Sequence, residues 1–206
     1  MTPMPHPERS PPPCAGERKN AAVVKVGGSV ISDQVRLHAV LADCVERGPV
    51  AVVPGGGPFA DAVRTAQASL GFEDRLAHRL ALDAMGRMAE IFSAIEPRLA
   101  VAASPGAVAD ALDRGRSAIW DPVALKAGHP DIPETWDVTS DSLALWLARR
   151  LGAGRCIFVK SANHDPAADL PTLVRSGLVD AAFPRFAAAF PGEIVIRGPS
   201  PERHAA

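Results

Sequence analysis

The chain has 206 residues, enough for one well-buried domain and too few for two comfortable ones. Its formal net charge is −1 and 47% of its residues are apolar. That balance gives no basic stripe for nucleic acid, and no apolar run is long enough to span a bilayer. Cys14, Cys44 and Cys156 have neither metal-type spacing nor an even disulfide framework, which points to a reducing cytoplasm.

Residues 1–20 hold Pro3, Pro5, Pro7 and Pro11 to Pro13 with few apolar side chains, and read as a disordered tail without a secretory signal. A single folded domain is expected over 21–206. It opens with Val23-Val-Lys-Val-Gly-Gly-Ser-Val-Ile31, a buried strand running into a glycine turn. Leu37, Val40, Leu41, Cys44 and Val45 keep helical spacing, stopped by Gly48-Pro49. Residues 50–53 form a second buried strand ending in Pro54-Gly-Gly-Gly57, from which a helix opens carrying Phe59, Val63, Ala66 and Leu70. A long helix follows, marked by Ala77, Leu80, Ala84, Met88 and Ile95 and ended by Pro97. Short strands are expected at 99–102 and 117–120, around a helix that Ser104-Pro105 starts and Gly115 closes. Beyond a proline-punctuated loop at 121–134, a helix over 143–151 is apolar almost all round and therefore buried. A central strand at 156–159, helices at 167–176 and 183–190, and a last strand at 193–197 complete the pattern. Strands alternating with helices, with no hairpin signal, predict an α/β domain with a mostly parallel sheet.

In such sheets ligands sit outside the carboxyl ends of the strands. Gly27-Gly-Ser29, Gly55-Gly-Gly57 and Thr139-Ser-Asp-Ser142 all occupy positions of that kind. Each can point main-chain N–H groups at an anion, and Lys25 adds a point charge. Three converging loops suggest a polyanion such as a nucleotide triphosphate facing a second anionic group. The contiguous glycines at 55–57 do not follow the dinucleotide fingerprint, and no Walker sequence is present, which speaks against a dehydrogenase or a P-loop enzyme.

The ordered set Lys25-Val-Gly-Gly-Ser29, Pro54-Gly-Gly-Gly57 and Thr139-Ser-Asp141 resembles the amino-acid kinase superfamily, which includes aspartate, acetylglutamate and uridylate kinases. The similarity spans about residues 22 to 200. One branch looks closer, the aminomethyl-furan-methyl phosphate kinases of methanofuran biosynthesis. The residues behind it are Val53 to Arg64, His78, Trp136-Asp-Val-Thr-Ser-Asp-Ser-Leu-Ala144, Gly177-Leu-Val-Asp180 with Phe183-Pro184, and Pro201-Glu-Arg203.

The resemblance implies a three-layer αβα sandwich that transfers the ATP γ-phosphoryl group, with Mg2+, without a phosphoenzyme. It implies that Lys25 neutralises the transferring group, that Gly27, Gly28 and Ser29 bind it, and that Asp141 orients Lys25 or a magnesium-bound water. Gly55, Gly56 and Gly57 would hold the acceptor, with Phe59, Arg64, His78, Thr139 and Ser140 as further acceptor-side candidates. Each has a plainer alternative: Asp141 as a helix-start charge, Arg64 as a surface cation, His78 as a packed helix residue, Trp136 as packing beside the loops, Phe59 as a helix anchor. The usual nucleotide segment of the superfamily is altered to Lys160-Ser-Ala-Asn-His-Asp-Pro166, where Asp165 stands for one acidic position and Lys160 is the candidate second lysine. No metal-ligand set is expected from the chain itself. The expected partner is a small-molecule substrate, with no nucleic acid and no membrane, in a homo-oligomer joined through the helix at about 76–96. The rival readings are a uridylate or amino-acid kinase of the same fold and a non-catalytic member that binds an anion or a partner.

Overall fold

The computed structural model describes residues 18–199. Six strands form one parallel sheet: β1 (Arg18–Val26), β2 (Val50–Pro54), β3 (Ala100–Ala102), β4 (Ala118–Trp120), β5 (Ala153–Val159) and β6 (Glu193–Arg197), in the order β3-β4-β2-β1-β5-β6. Among the described residues seven α-helices cover its faces: α1 (Gln34–Glu46), α2 (Gly57–Leu70), α3 (Asp74–Ile95), α4 (Pro105–Asp113), α5 (Ser140–Leu151), α6 (Leu170–Arg175) and α7 (Phe183–Ala189). This is the expected αβα sandwich. β2 is buried along its whole length, as continuous apolar runs in parallel sheets should be.

Two cores lie on opposite faces of the sheet. One joins α4, α5 and α7 to β1 and β5 through Val108, Leu145, Phe183, Val23 and Phe158. The other joins α1 to β1 and β2 through Leu37, Leu41, Val24 and Val52. α3 contributes to both, with Leu82 and Met85 to the first and Met88 and Phe92 to the second. The local signals acted as read: Ser104 Oγ accepts the Ala107 N–H at 3.1 Å to start α4, and Gly115, in the left-handed region at φ 70°, follows its end.

Several boundaries differ from the reading of the sequence: α5 and β5 begin three residues earlier, at Ser140 and Ala153, and α6 is confined to Leu170–Arg175. β1 takes in residues 18–20, assigned to the tail; residues 1–17 lie outside the described residues. The glycine turn that ends β1 closes as a 3-10 turn over Gly28–Ser32, with Val30 N–H donating to Gly27 O at 3.0 Å. That turn swings Val30 into the α1-side core, where its burial outweighs the β preference of Val30-Ile31.

Candidate active site

β1 and β2 run side by side in register, Val26 beside Pro54, so their glycine loops leave the same edge of the sheet. There backbone meets backbone. A Cβ on Gly28 would lie 2.5 Å from Gly57 N, and one on Gly55 would lie 2.5 Å from Gly28 N, so no side chain fits at either position. Gly27 donates its N–H to Val159 O at 3.0 Å and Gly55 to Val26 O at 2.9 Å, which ties both residues to the sheet. The N–H groups of Gly28 and Ser29 open the 3-10 turn, and that of Gly57 opens α2. Groups in those positions have no partner within their own helix, and they are what this edge offers an anion.

β5 lies on the other side of β1, with Val159 level with Val26. Lys160 therefore emerges next to the first loop, its N–H held by Arg197 O at 2.8 Å and its carbonyl by Arg36 Nη2 at 2.7 Å. Its ammonium donates to Asp141 Oδ1 at 2.7 Å, and Lys25 Nζ approaches the same oxygen at 2.9 Å. All three side chains are buried. Burial opposes charge on Asp141, but Lys25 and then Lys160 outweigh it and hold the carboxyl below the usual range. Lys160 is brought down to about 8, by burial first and by the Lys25 charge second. The result is one carboxylate between two ammonium groups, a net positive cluster where a phosphoryl group would need neutralising. Ser29 Oγ and Ser161 Oγ, 2.6 Å apart, bridge the two loops in front of it.

Asp180, quoted from the sequence only within a motif and given no role, is the residue that fixes the start of α5. Its carboxylate accepts the Thr139 N–H at 2.9 Å and hydroxyl at 2.8 Å, and the Ser142 N–H at 3.0 Å together with the Ser142 hydroxyl. Burial nevertheless raises its pKa above the usual carboxylate range, against the pull of the Ser142 bonds. The α5 N-terminus, expected to face a ligand anion, thus already holds a carboxylate from the segment after α6. Thr139 and Ser140 still line the cavity described next, but through a helix start that Asp180 positions. The signal was present in Gly177-Leu-Val-Asp180, though nothing in its spacing tied it to residue 139.

Beside the cluster lies a cavity of about 420 Å³, walled by both glycine loops, the first turns of α2, the face of α3 carrying His78, Leu82 and Met85, and Trp136 to Ser140. Arg64 reaches it from α2, its guanidinium 4.2 Å above the centre of the Trp136 ring and 3.2 Å from Asp61. Trp136 Nε1 donates to Gln67 Oε1 at 2.6 Å, which fixes the indole against α2. His78 Nδ1 lies 3.2 Å from Thr135 O, so that nitrogen carries the proton, and burial lowers the imidazole's pKa and keeps it neutral. Nε2 is left as a bare acceptor on a side chain lining the cavity. Two candidates are not brought here. Phe59 is 42% exposed and does not line the cavity, and Asp165 is exposed, its carboxylate accepting the Ala167 N–H at 2.9 Å.

A parallel αβα sandwich with glycine loops, two lysines and an aspartate at one sheet edge defines the phosphoryl-transfer class of sites. Residues 20–164 match the amino acid kinase family, and the chain belongs to that family. It is 27% identical over 194 residues to an aminomethyl-furanylmethyl phosphate kinase of Methanocaldococcus jannaschii, covering 88% of this chain and 89% of that one. Among solved structures it resembles the uridylate kinase of Archaeoglobus fulgidus, with a TM-score of 0.64, 19% identity, and 88% and 92% of the two chains covered. The UMP kinase of Ureaplasma parvum gives a TM-score of 0.66, 14% identity, and 88% and 91% coverage.

Proposed function

We propose that this kinase transfers the γ-phosphoryl group of ATP to a small phosphate monoester, an aminomethyl-furanylmethyl phosphate, giving a diphosphate and ADP. The observation that carries the reading is the buried Lys25–Asp141–Lys160 cluster on the β5 side of two stacked glycine loops, beside a cavity with an aromatic and apolar wall. Phosphoryl transfer needs positioning and charge neutralisation more than a strong base. The acceptor's phosphate oxygen is already anionic; it would form the new P–O bond as the bond to ADP's β-phosphate oxygen breaks. Lys25 and Lys160 would neutralise the transferring oxygens, and Asp141 would hold both ammonium groups in place. Gly28, Ser29 and Gly57 would donate N–H groups, and Arg64 would bind the acceptor phosphate.

The nucleotide fits this edge, because two lysines and free helix-start N–H groups suit a polyphosphate chain. ATP supplies the phosphoryl group, and magnesium carried on its phosphates needs no full protein cage; Asp141 is the carboxylate the cluster offers it. Among the described residues no group of three or more His, Cys, Asp or Glu is placed to hold a metal by itself. The neutral His78 acceptor and the Asp61 carboxylate suit an amine-bearing acceptor better than a uracil ring. That is the ground for preferring the furan phosphate over uridylate.

Calorimetric titration of Mg-ATP into wild type and Lys25→Ala tests the donor site, and ADP formation with the furan phosphate against UMP tests the acceptor. Saturable ATP binding that Lys25→Ala weakens, with turnover on the furan phosphate, upholds the reading. Turnover on UMP alone sinks the acceptor assignment, and no turnover with any acceptor leaves a binding protein. The free, buried Cys44 and Cys156 suit a reducing cytoplasm, and no helix among the described residues is long and apolar enough to cross a membrane. Leu76, Leu80 and Ile91, partly exposed on α3, are the surface through which a homo-oligomer would form, and a monomer at micromolar concentration in sedimentation would exclude it.

A further inference from the structure

Along the wall of the cavity, α3 runs between the glycine loops and a polar far end. Its loop end is fixed by contact: a Cβ on Gly56 would lie 3.3 Å from Ala84 Cβ, and one on Gly57 would lie 3.2 Å from Met88 Sδ. His78 stands nearer the helix start, about 9 Å along the axis from Ala84, with Ala81 and Leu82 on the wall between them. A ligand whose phosphate lies on the loops therefore meets an apolar wall first and His78 at its other end. The remaining polar groups of that region are spent: Trp136 Nε1 on Gln67, the Thr139 hydroxyl on Asp180, and Arg64 on Asp61. His78 Nε2 has no partner among the described residues, on a cavity-lining residue that is only 4% exposed.

Which nitrogen stays bare is set outside the cavity. Nδ1 donates its proton to the Thr135 carbonyl at 3.2 Å, which leaves Nε2 an acceptor only. That carbonyl belongs to a segment latched to α3. Glu134 accepts Arg75 Nε on one carboxylate oxygen at 2.6 Å and Arg79 Nε on the other at 3.2 Å, and both arginines sit beside His78 on the same helix. We propose that His78, locked in this tautomer by the Glu134 latch, is the specificity-determining residue of the acceptor site, taking a hydrogen bond from an ammonium at the end of the acceptor opposite its phosphate. The locked ring pairs with a donor and rejects a carbonyl, whose oxygen would face the bare lone pair. Burial keeps the imidazole neutral, so it does not repel the cation. Glu134 touches no substrate; it is a positioning residue that acts through Thr135. The seat of the amine rests on the acceptor reading given above, whereas the tautomer lock does not.

The test compares two acceptors, the aminomethyl-furanylmethyl phosphate and its methyl-furanylmethyl analogue, in which hydrogen replaces the amino group. The wild type should favour the amine. In H78M, where a thioether fills the volume of the ring, the ratio of the two kcat/KM values should fall roughly 10- to 100-fold, chiefly through KM. E134Q keeps the ring and weakens the latch, so the ratio should fall there too, by less. Equal losses on both acceptors in H78M, or a wild type blind to the amine, overturn the specificity role. A ratio in E134Q equal to that of the wild type removes the latch. Imidazole 15N resonances of the full-length protein, those of His78 assigned by their loss in H78M or H78Q, decide the binding without turnover. A protonated Nδ1 and a bare Nε2 are expected in the free protein. Nε2 should move upfield to saturation as the amine-bearing phosphate is added and stay in place with the methyl analogue. A proton on Nε2, or an Nε2 unmoved by the amine, refutes the proposal. A protein that turns over neither acceptor refutes the kinase reading, and the nitrogen shifts still decide what His78 binds.

Discussion

In the site proposed above, the two sides of β1 would meet a polyanion in different ways. On the β2 side, recognition is carried by backbone: glycine loops stacked within van der Waals contact, with α2 opening directly from one of them. On the β5 side it is carried by one charged side chain, Lys160, at the head of an exposed stretch that ends in the single turn or so of α6. Backbone donors are rigid and cannot be titrated, whereas a buried lysine can lose its proton and depends on its neighbours for its charge. The first side should therefore fail by steric disruption and the second by pH and electrostatics.

The largest effect is expected at the stacked loops. In Gly28→Ala the new methyl meets the Gly57 nitrogen, a backbone atom that cannot step aside, so turnover should fall more than about a hundredfold. Thermal melting should record a loss of about 1–3 kcal/mol from overpacking. A Gly28→Ala protein with normal rates and melting would show that the loops do not need their close approach. Asp141→Asn should come next. It leaves two buried ammonium groups without their counter-charge, a loss of about 3–5 kcal/mol by analogy with other broken buried pairs, readable as a lower denaturation midpoint.

The β5 side should show itself in pH. Lys160 titrates near 8 in the fold against 10.5 for an unperturbed lysine, so between those values the unfolded chain binds more protons than the native one. This group's contribution to stability consequently rises with pH across that window. Turnover should move the opposite way, falling up to about tenfold per pH unit above about 8 as the ammonium is lost. Lys160→Arg, which keeps its charge, should abolish that falling limb; a limb that persists in the arginine variant would assign it elsewhere.

Smaller effects sharpen the acceptor assignment. Arg64→Gln should raise the KM for the acceptor about tenfold with kcat nearly unchanged, because it removes binding shared by ground and transition states. An unchanged KM would make Arg64 a surface cation stacked on Trp136. Asp165→Asn should change the kinetics by less than about twofold, since that carboxylate is exposed and bound to its own loop. A large effect there would restore it to the nucleotide site.

Nearly every element was legible in the chain because each carries a strong local signal. β2 is an unbroken apolar run, Ser104-Pro105 is a helix start, and Gly115 and Pro97 stop their helices. The glycine turn after β1 was legible, but its 3-10 form and the burial of Val30 were not, since the partners that bury Val30 lie on α1 and α3. Arg64, His78, Thr139 and Ser140 line the cavity, whereas Phe59 lies outside it and Asp165 is exposed on its own loop.

Composition, periodicity and turn chemistry by themselves determined a parallel α/β domain with glycine loops at the carboxyl ends of its first two strands. Those features depend on neighbours within a few residues. Tertiary structure alone decided that Lys25 and Lys160 share one oxygen of Asp141, and that Asp180 occupies the α5 N-terminus. It also decided that Arg36, on α1, holds the Lys160 carbonyl. Each of these joins segments whose separation along the chain carries no local signal, and only strand order and register bring them within hydrogen-bonding or electrostatic range.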